Sequence, residues 1–294
     1  TLLGPDLKQT LADDPEAVRD ALDEFHPEDI AEMLPELEAD VALALVRTMP
    51  GELSAQVLER VPEELRTQIL EKLGTNAAAT LLTEMSADDR VDAIQELPDS
   101  VAEKILDRLE ETAPAVAEEV RELAAYPEHS AGALMTTEVI PASPEMKVWE
   151  AIENVRLYSR ERRVESIYYL YVVAYGNKLV GVVSLREMIL ADTSMDLAAV
   201  MRENVVRVSP LADQEEVART IAKYDLHAVP VCDDNGVLLG VVTVDDVVDV
   251  VIDEATEDAQ RMGAVVPTDE SYLDTPFWVF VRKRAGWLIV LFVA

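Results

Sequence analysis

Between His26 and Leu109 apolar residues recur with a period of twelve. One register runs Leu37, Met49, Val61, Leu73, Met85, Leu97 and Leu109, and a second runs Leu34, Val46, Leu58, Leu70, Leu82, Ile94 and Leu106. A third set, Met33, Leu45, Val57, Ile69, Leu81, Ala93 and Ile105, stays in phase with both. Pro50, Pro62 and Pro98, with Gly74 and Ser86 at the equivalent places, punctuate the units where a helix begins. Each unit therefore predicts a short helix of about two turns. Its apolar stripe cannot be buried alone, so consecutive units must stack into a helical superhelix.

A different repeat begins near Leu134. LMTTEVIPASP (Leu134 to Pro144) is matched by VMRENVVRVSP (Val200 to Pro210), and LVGVVSLREMI (Leu179 to Ile189) by LLGVVTVDDVV (Leu238 to Val248). The second interval is shorter than the first by seven, which places an insertion in the first copy, around Arg160 to Glu165. Each copy reads as a short strand, a helix, an apolar strand (IYYLYVV; AVPVC), a turn (YGNK; DDNG), a strand around GVV and a final helix. The fold class expected is mainly α plus α/β. At the far end Arg282, Lys283 and Arg284 precede an apolar run from Trp287 to Ala294. Eight residues cannot cross a bilayer, which needs about 20. The flanking cations and the leading Trp nevertheless read as the cytoplasmic edge of a transmembrane helix.

Charge changes the picture. Of 294 residues, 58 are Asp or Glu against 25 Lys or Arg, a formal net charge of −33. Residues 1–130 carry 32 acids and 10 bases, residues 131–258 carry 23 and 11, and residues 259–294 carry 3 and 4. A nucleic-acid partner is excluded because nearly every face would repel a polyanion. Two readings of the acidity remain open: a solvated, salt-adapted surface, which the 7 Lys beside 18 Arg also fit, or a cation-binding one. The single cysteine, Cys232, reads as a small core residue in a chain of a reducing compartment.

Enzyme signatures are missing from the sequence: no G-x-S-x-G, H-E-x-x-H, Walker loop or G-x-G-x-x-G occurs. His26, His129 and His227 are widely separated and read as structural. Carboxylates at helical spacing carry the signal instead. Asp245 to Asp258 holds seven acids and no base; Asp246, Asp249, Asp253 and Glu257 share one face, and Glu254 and Asp258 form a further i,i+4 pair. Like charges so placed destabilise a helix by a few tenths of a kcal/mol per pair, so an offsetting cation is expected. Oxygen donors without soft ligands suit Mg²⁺. Glu215, Ala222 and Asp225 fall on or near one face of a second helix, and Asp88 and Asp92 are i,i+4 in a third, where Asp88 equally suits a helix start.

The paired segments GVVSLRE and GVVTVDD resemble the cystathionine β-synthase (CBS) domain pair. The order of an acidic helical repeat, SAGALMT, that pair, EATEDAQRMGA and a basic-flanked apolar start resembles the MgtE-type magnesium transporter over essentially the whole chain. The resemblance implies a helical domain at 1–130, CBS domains at 131–193 and 194–258, a connecting plug helix at 259–285 and the start of a transmembrane helix at 286–294. It implies a non-enzymatic, cytoplasmic region of a multi-pass membrane protein, a homodimer attached to its own transmembrane domain, which Mg²⁺ closes. The metal ligands it implies are Asp88, Asp92, Gly132 through its carbonyl, Glu215, the Ala222 carbonyl, Asp225, Asp246, Asp249, Glu254, Glu257 and Asp258. A further family carboxylate falls at Gln56 here, with Glu59 one turn on, which leaves that ligand open. The CBS cleft implies ATP, with Tyr169, Ser184, Arg186 and Glu187 in contact with it in the first copy. The other reading is an adenine-nucleotide-sensing CBS module of another membrane protein or enzyme.

Overall fold

The structure, a computed structural model, describes residues 10–11, 13–22, 24–161, 168–248 and 250–252. The expected plug helix and apolar end at 259–294 lie outside the described residues, as do residues 162–165 of the insertion expected around Arg160 to Glu165.

The first half is a stack of helices: α1 (Pro15–Leu22), α2 (Pro27–Met33), a 3-10 turn (Leu34–Glu36), α3 (Ala39–Thr48), α4 (Gly51–Arg60), α5 (Glu63–Leu73), α6 (Thr75–Leu82), α7 (Ala87–Gln95), α8 (Asp99–Thr112) and α9 (Pro114–Leu123). The residues before α4 to α8 are Pro50, Pro62, Gly74, Ser86 and Pro98, so the twelve-residue punctuation marks helix starts as expected. Most helices are longer than the two turns expected, and α8 runs for 14 residues, ending the periodicity. Nearly all positions of the three registers are buried, with Met33, Leu37, Leu73 and Leu106 partly so.

A polar register ties the stack together. Ser54 Oγ donates to the Val46 carbonyl at 2.9 Å. One repeat unit on, Arg66 Nη1 donates to the carbonyls of Leu58 (3.4 Å) and Glu59 (3.3 Å), and its guanidinium pairs with Glu96. Arg90, two further units along, donates to the Leu82 and Met85 carbonyls at 2.7 and 2.6 Å and pairs with Glu119 at 2.7 Å. In each case a polar side chain near the start of one helix satisfies carbonyls at the end of the preceding one, which the helix itself leaves open.

The second half is the duplicated unit. β1 (Pro141–Ala142), α10 (Val148–Glu161), β2 (Tyr169–Ala174), β3 (Lys178–Ser184) and α11 (Leu185–Leu190) form the first copy; α12 (Gln214–Tyr224), β4 (Ala228–Cys232), β5 (Leu238–Thr243) and a helix over 244–252, position 249 apart, form the second. β2–β3 and β4–β5 are antiparallel hairpins. Their turns use Gly176, Asn177 and Gly236 at positive φ, where glycine carries no Cβ penalty. β1 pairs in parallel with β2, and Val208 bridges Val231 at the corresponding place.

The copies exchange their leading segments. Thr136 of the first pairs with Val241 of the second, and Arg202, the counterpart of Thr136 in the second, pairs with Val182 of the first. Two equivalent glycines permit this approach. A Cβ on Gly240 would lie 2.5 Å from the Thr136 carbonyl oxygen, and one on Gly181 2.5 Å from the Met201 sulfur. Tyr171, Leu179, Cys232, Leu238 and Val241 fill the space between the copies; burial pushes the Cys232 thiol up, in keeping with a core role. A single apolar cluster also runs from the helical stack into the second copy, through Ala131, Met135, Val217, Ile221, Val229 and Val242.

Candidate functional site

The exchange places two equivalent carboxylates in opposite surroundings. In the first copy Ser184 caps α11: its hydroxyl accepts from the Glu187 N–H at 3.1 Å, while Glu187 Oε2 accepts from the Ser184 N–H (3.0 Å) and hydroxyl (2.7 Å). This is a capping box, the local reason for S-x-x-E at this point. Glu187 Oε1 accepts from Arg202 Nε at 2.7 Å. Burial alone would raise the Glu187 carboxyl, but the Ser184 hydrogen bonds and Arg202 outweigh it and hold it below the ordinary range.

In the second copy Asp246 takes the place of Glu187, accepting from the Thr243 hydroxyl at 2.5 Å and N–H at 3.3 Å. The position equivalent to Arg202 is Thr136, and Asp245 stands in place of Arg186. Burial, followed by the charges of Asp245 and Asp89, overcomes the Thr243 hydrogen bonds and pushes Asp246 up to about 7. Asp89 belongs to α7 of the helical stack, so this repulsion crosses between domains.

Around Asp89 lies more negative charge. Ser86 Oγ donates to Asp89 at 2.8 Å, and the Ser86 N–H donates to Glu59 at 3.0 Å. Burial raises Asp89; burial and the charge of Asp89 raise Glu59. Asp92 is pushed up to about 6 by burial, then by Asp89 and Glu96, with Arg66 opposing. Asp92 is the most exposed of the three, so solvent screens it most. Oxygen donors from facing elements suit Mg²⁺, which keeps several waters and takes one or two carboxylates at a time. Among the described residues no group of three or more His, Cys, Asp or Glu could hold an ion.

The other expected ligands are dispersed. Asp88 is buried in α7 while Asp92, one turn on, is exposed. The Gly132 N–H donates to the Pro210 carbonyl at 2.9 Å, and the Tyr126 ring lies where a Cβ would stand. Glu215, Ala222 and Asp225 are exposed; Glu215 pairs with Arg219, and Asp225 ends α12 in the left-handed conformation. Glu215 and Asp225 stand at opposite ends of this helix, about 15 Å apart, too far for one ion. Asp249, Glu254, Glu257 and Asp258 lie outside the described residues. Helical spacing does not single out Asp89, because neither its hydrogen bond to Ser86 nor its approach to the second copy is visible in spacing.

Tyr169, Ser184, Arg186 and Glu187 do come together, lining a cavity of about 890 Å³ between the copies. Val182, Val205, Leu226 and Pro230 give it apolar walls. Tyr168 and His227, equivalent positions in the two copies, stack at its edge with ring centroids 4.7 Å apart. Apolar walls with a few converging polar groups fit an aromatic, phosphorylated ligand.

Residues 25–129 match the family described as the MgtE intracellular N domain, and residues 131–194 and 197–253 the CBS domain. The Magnesium transporter MgtE of Thermus thermophilus is 40% identical over 209 residues, 70% of this chain and 45% of that protein's length. Among solved structures, the soluble part of a magnesium transporter superposes with a TM-score of 0.79 at 34% identity, over 85% of this chain and 96% of that one. The cytosolic domain of the Mg²⁺ channel MgtE in complex with ATP gives 0.74 at 36% identity, over 83% and 98%.

Proposed function

From the premise that the chain belongs to the MgtE family of magnesium transporters, we propose that it is the cytosolic, Mg²⁺-responsive gating region of such a transporter. One observation carries this reading: Asp246 of the CBS pair is raised by burial and, across the domain boundary, by the charge of Asp89 in the helical stack, whose own carboxyl burial raises. When ionised they drive α7 and the helix at 244–252 apart. Positive charge supplied by hydrated Mg²⁺ between them would offset that repulsion and favour the closed arrangement, shifting the equilibrium only by its preference for that state. Asp92 and Glu59 belong to the same region. Asp88, Gly132, Glu215, Ala222, Asp225, Asp249, Glu254, Glu257 and Asp258 are further proposed ligands, in separate sites shared with the plug helix or a second copy.

Closure would hold the plug helix at 259–285 against the pore of a multi-pass protein in the cell membrane. Among the described residues no helix is long and apolar enough to cross a membrane. A homodimer is supported by the exposed Ile189 and Leu190 of α11 and the equivalent Val248, with Val251, on the last helix. The cleft beside Arg186 would hold ATP, a site of opposite charge to the acidic interface. Limited proteolysis of the chain tests the gating reading. Cleavage between the helical stack and the CBS pair should slow as Mg²⁺ rises from zero to tens of millimolar. Equal slowing by NaCl at matched ionic strength would overturn it.

A further inference from the structure

Glu187 has no oxygen to spare. Oε2 holds the N–H and hydroxyl of Ser184 and so fixes the start of α11, while Oε1 holds Arg202. Among the described residues lining the cavity Glu187 is the lone carboxylate, and the remaining formal charges are Arg186 and Arg202. Beyond Glu187, Arg202 is anchored by its backbone: its N–H and carbonyl pair with Val182 at 2.9 and 3.0 Å, and its side chain is 72% exposed. Once Glu187 lets go, the guanidinium can swing while its Cα stays at the cavity rim.

We propose that Arg202 makes the cleft selective for phosphorylated adenine nucleotides over the nucleoside; this rests on the nucleotide reading of the cleft. A ribose diol seeking Glu187 must take Oε1, since displacing Ser184 would uncap α11. Taking Oε1 strips Arg202 of its counter-ion. A nucleoside offers nothing in return, whereas the phosphate of a nucleotide gives the released guanidinium a bidentate acceptor beside Arg186. The second copy lacks the device, because Thr136 and Asp245 replace the two arginines.

Calorimetric titration of the whole chain with adenosine, AMP and ATP, in wild type and Arg202→Met, tests this. Wild type should bind AMP at least about 10-fold more tightly than adenosine, and Arg202→Met should bind adenosine about 10-fold more tightly than wild type does. The AMP-to-adenosine preference should shrink toward that left by Arg186 alone. Arg202→Lys, which keeps the charge without the fork, should fall between. Unchanged or weaker adenosine binding in Arg202→Met, with nucleotides still bound, overturns the role of Arg202 alone. Failure of either protein to bind any of the three ligands overturns the nucleotide reading and the selectivity with it. A thermal unfolding curve matching wild type establishes that the variant is folded, the guanidinium being exposed.

Discussion

Glu187 and Asp246 occupy one place in two copies of the same unit, yet their carboxyls move in opposite directions. The difference lies in three neighbours: Arg202 against Thr136, Arg186 against Asp245, and the approach of Asp89 from another domain. Its sign has a consequence for pH. Asp246 titrates near 7 in the folded chain and near ~3.9 unfolded, so the folded state binds more protons between those values. The stability Asp246 contributes is present below pH ~4 and lost as pH rises through about 7. Without Mg²⁺ the melting temperature should fall from pH 5 to pH 8, by roughly 2–4 °C per kcal/mol. Asp246→Asn, permanently neutral, should flatten that slope; an unaltered slope in a differential scan would assign it to other groups. The pairs Ser184–Glu187 and Thr243–Asp246 were legible as a repeated motif, within the matched segments GVVSLRE and GVVTVDD. The opposing shifts were not, because Asp89, whose charge raises Asp246, lies far away in sequence and acts on it only through the fold.

At the scale of elements, the twelve-residue period located the helix starts because Pro, Gly and Ser at fixed spacing impose them locally. Helix lengths were less legible: nothing near Glu110 breaks α8, so it runs on. The carbonyl-capping ladder of Ser54, Arg66 and Arg90 was also hidden, since an arginine outside the apolar registers reads as a surface residue until its partners are seen. Arg90 is the most committed of the three, with its side chain 4% exposed. Arg90→Met should destabilise the helical stack by about 3 kcal/mol or more, leaving Glu119 and two carbonyls without it. Ser54→Ala should cost about 1 kcal/mol. Urea unfolding of the two variants checks the order; a smaller loss for Arg90→Met would show that the ladder is incidental.

For the whole molecule, the duplication was legible from the two pairs of matching segments, but the exchange between copies was not. Alignment of two similar strands does not say which partner each will choose. The glycines at the crossing make the exchange testable. Gly240→Ala drives a Cβ against the Thr136 backbone and should cost about 1–3 kcal/mol, whereas Gly181→Ala meets the flexible Met201 side chain and should cost less. Equal losses in thermal unfolding would contradict the pairing described. The same crossing brings Thr136 to the second copy, whose core is continuous with that of the helical stack, and the charge of Asp89 reaches Asp246 across that boundary. Small-angle scattering of the chain in Mg²⁺ and in NaCl of equal ionic strength tests that juxtaposition most directly. The radius of gyration should fall on adding Mg²⁺ to wild type, and Asp89→Asn with Asp246→Asn should already be compact without it. A wild-type radius that ignores Mg²⁺, or a double variant that stays as extended as wild type in its absence, would contradict the account.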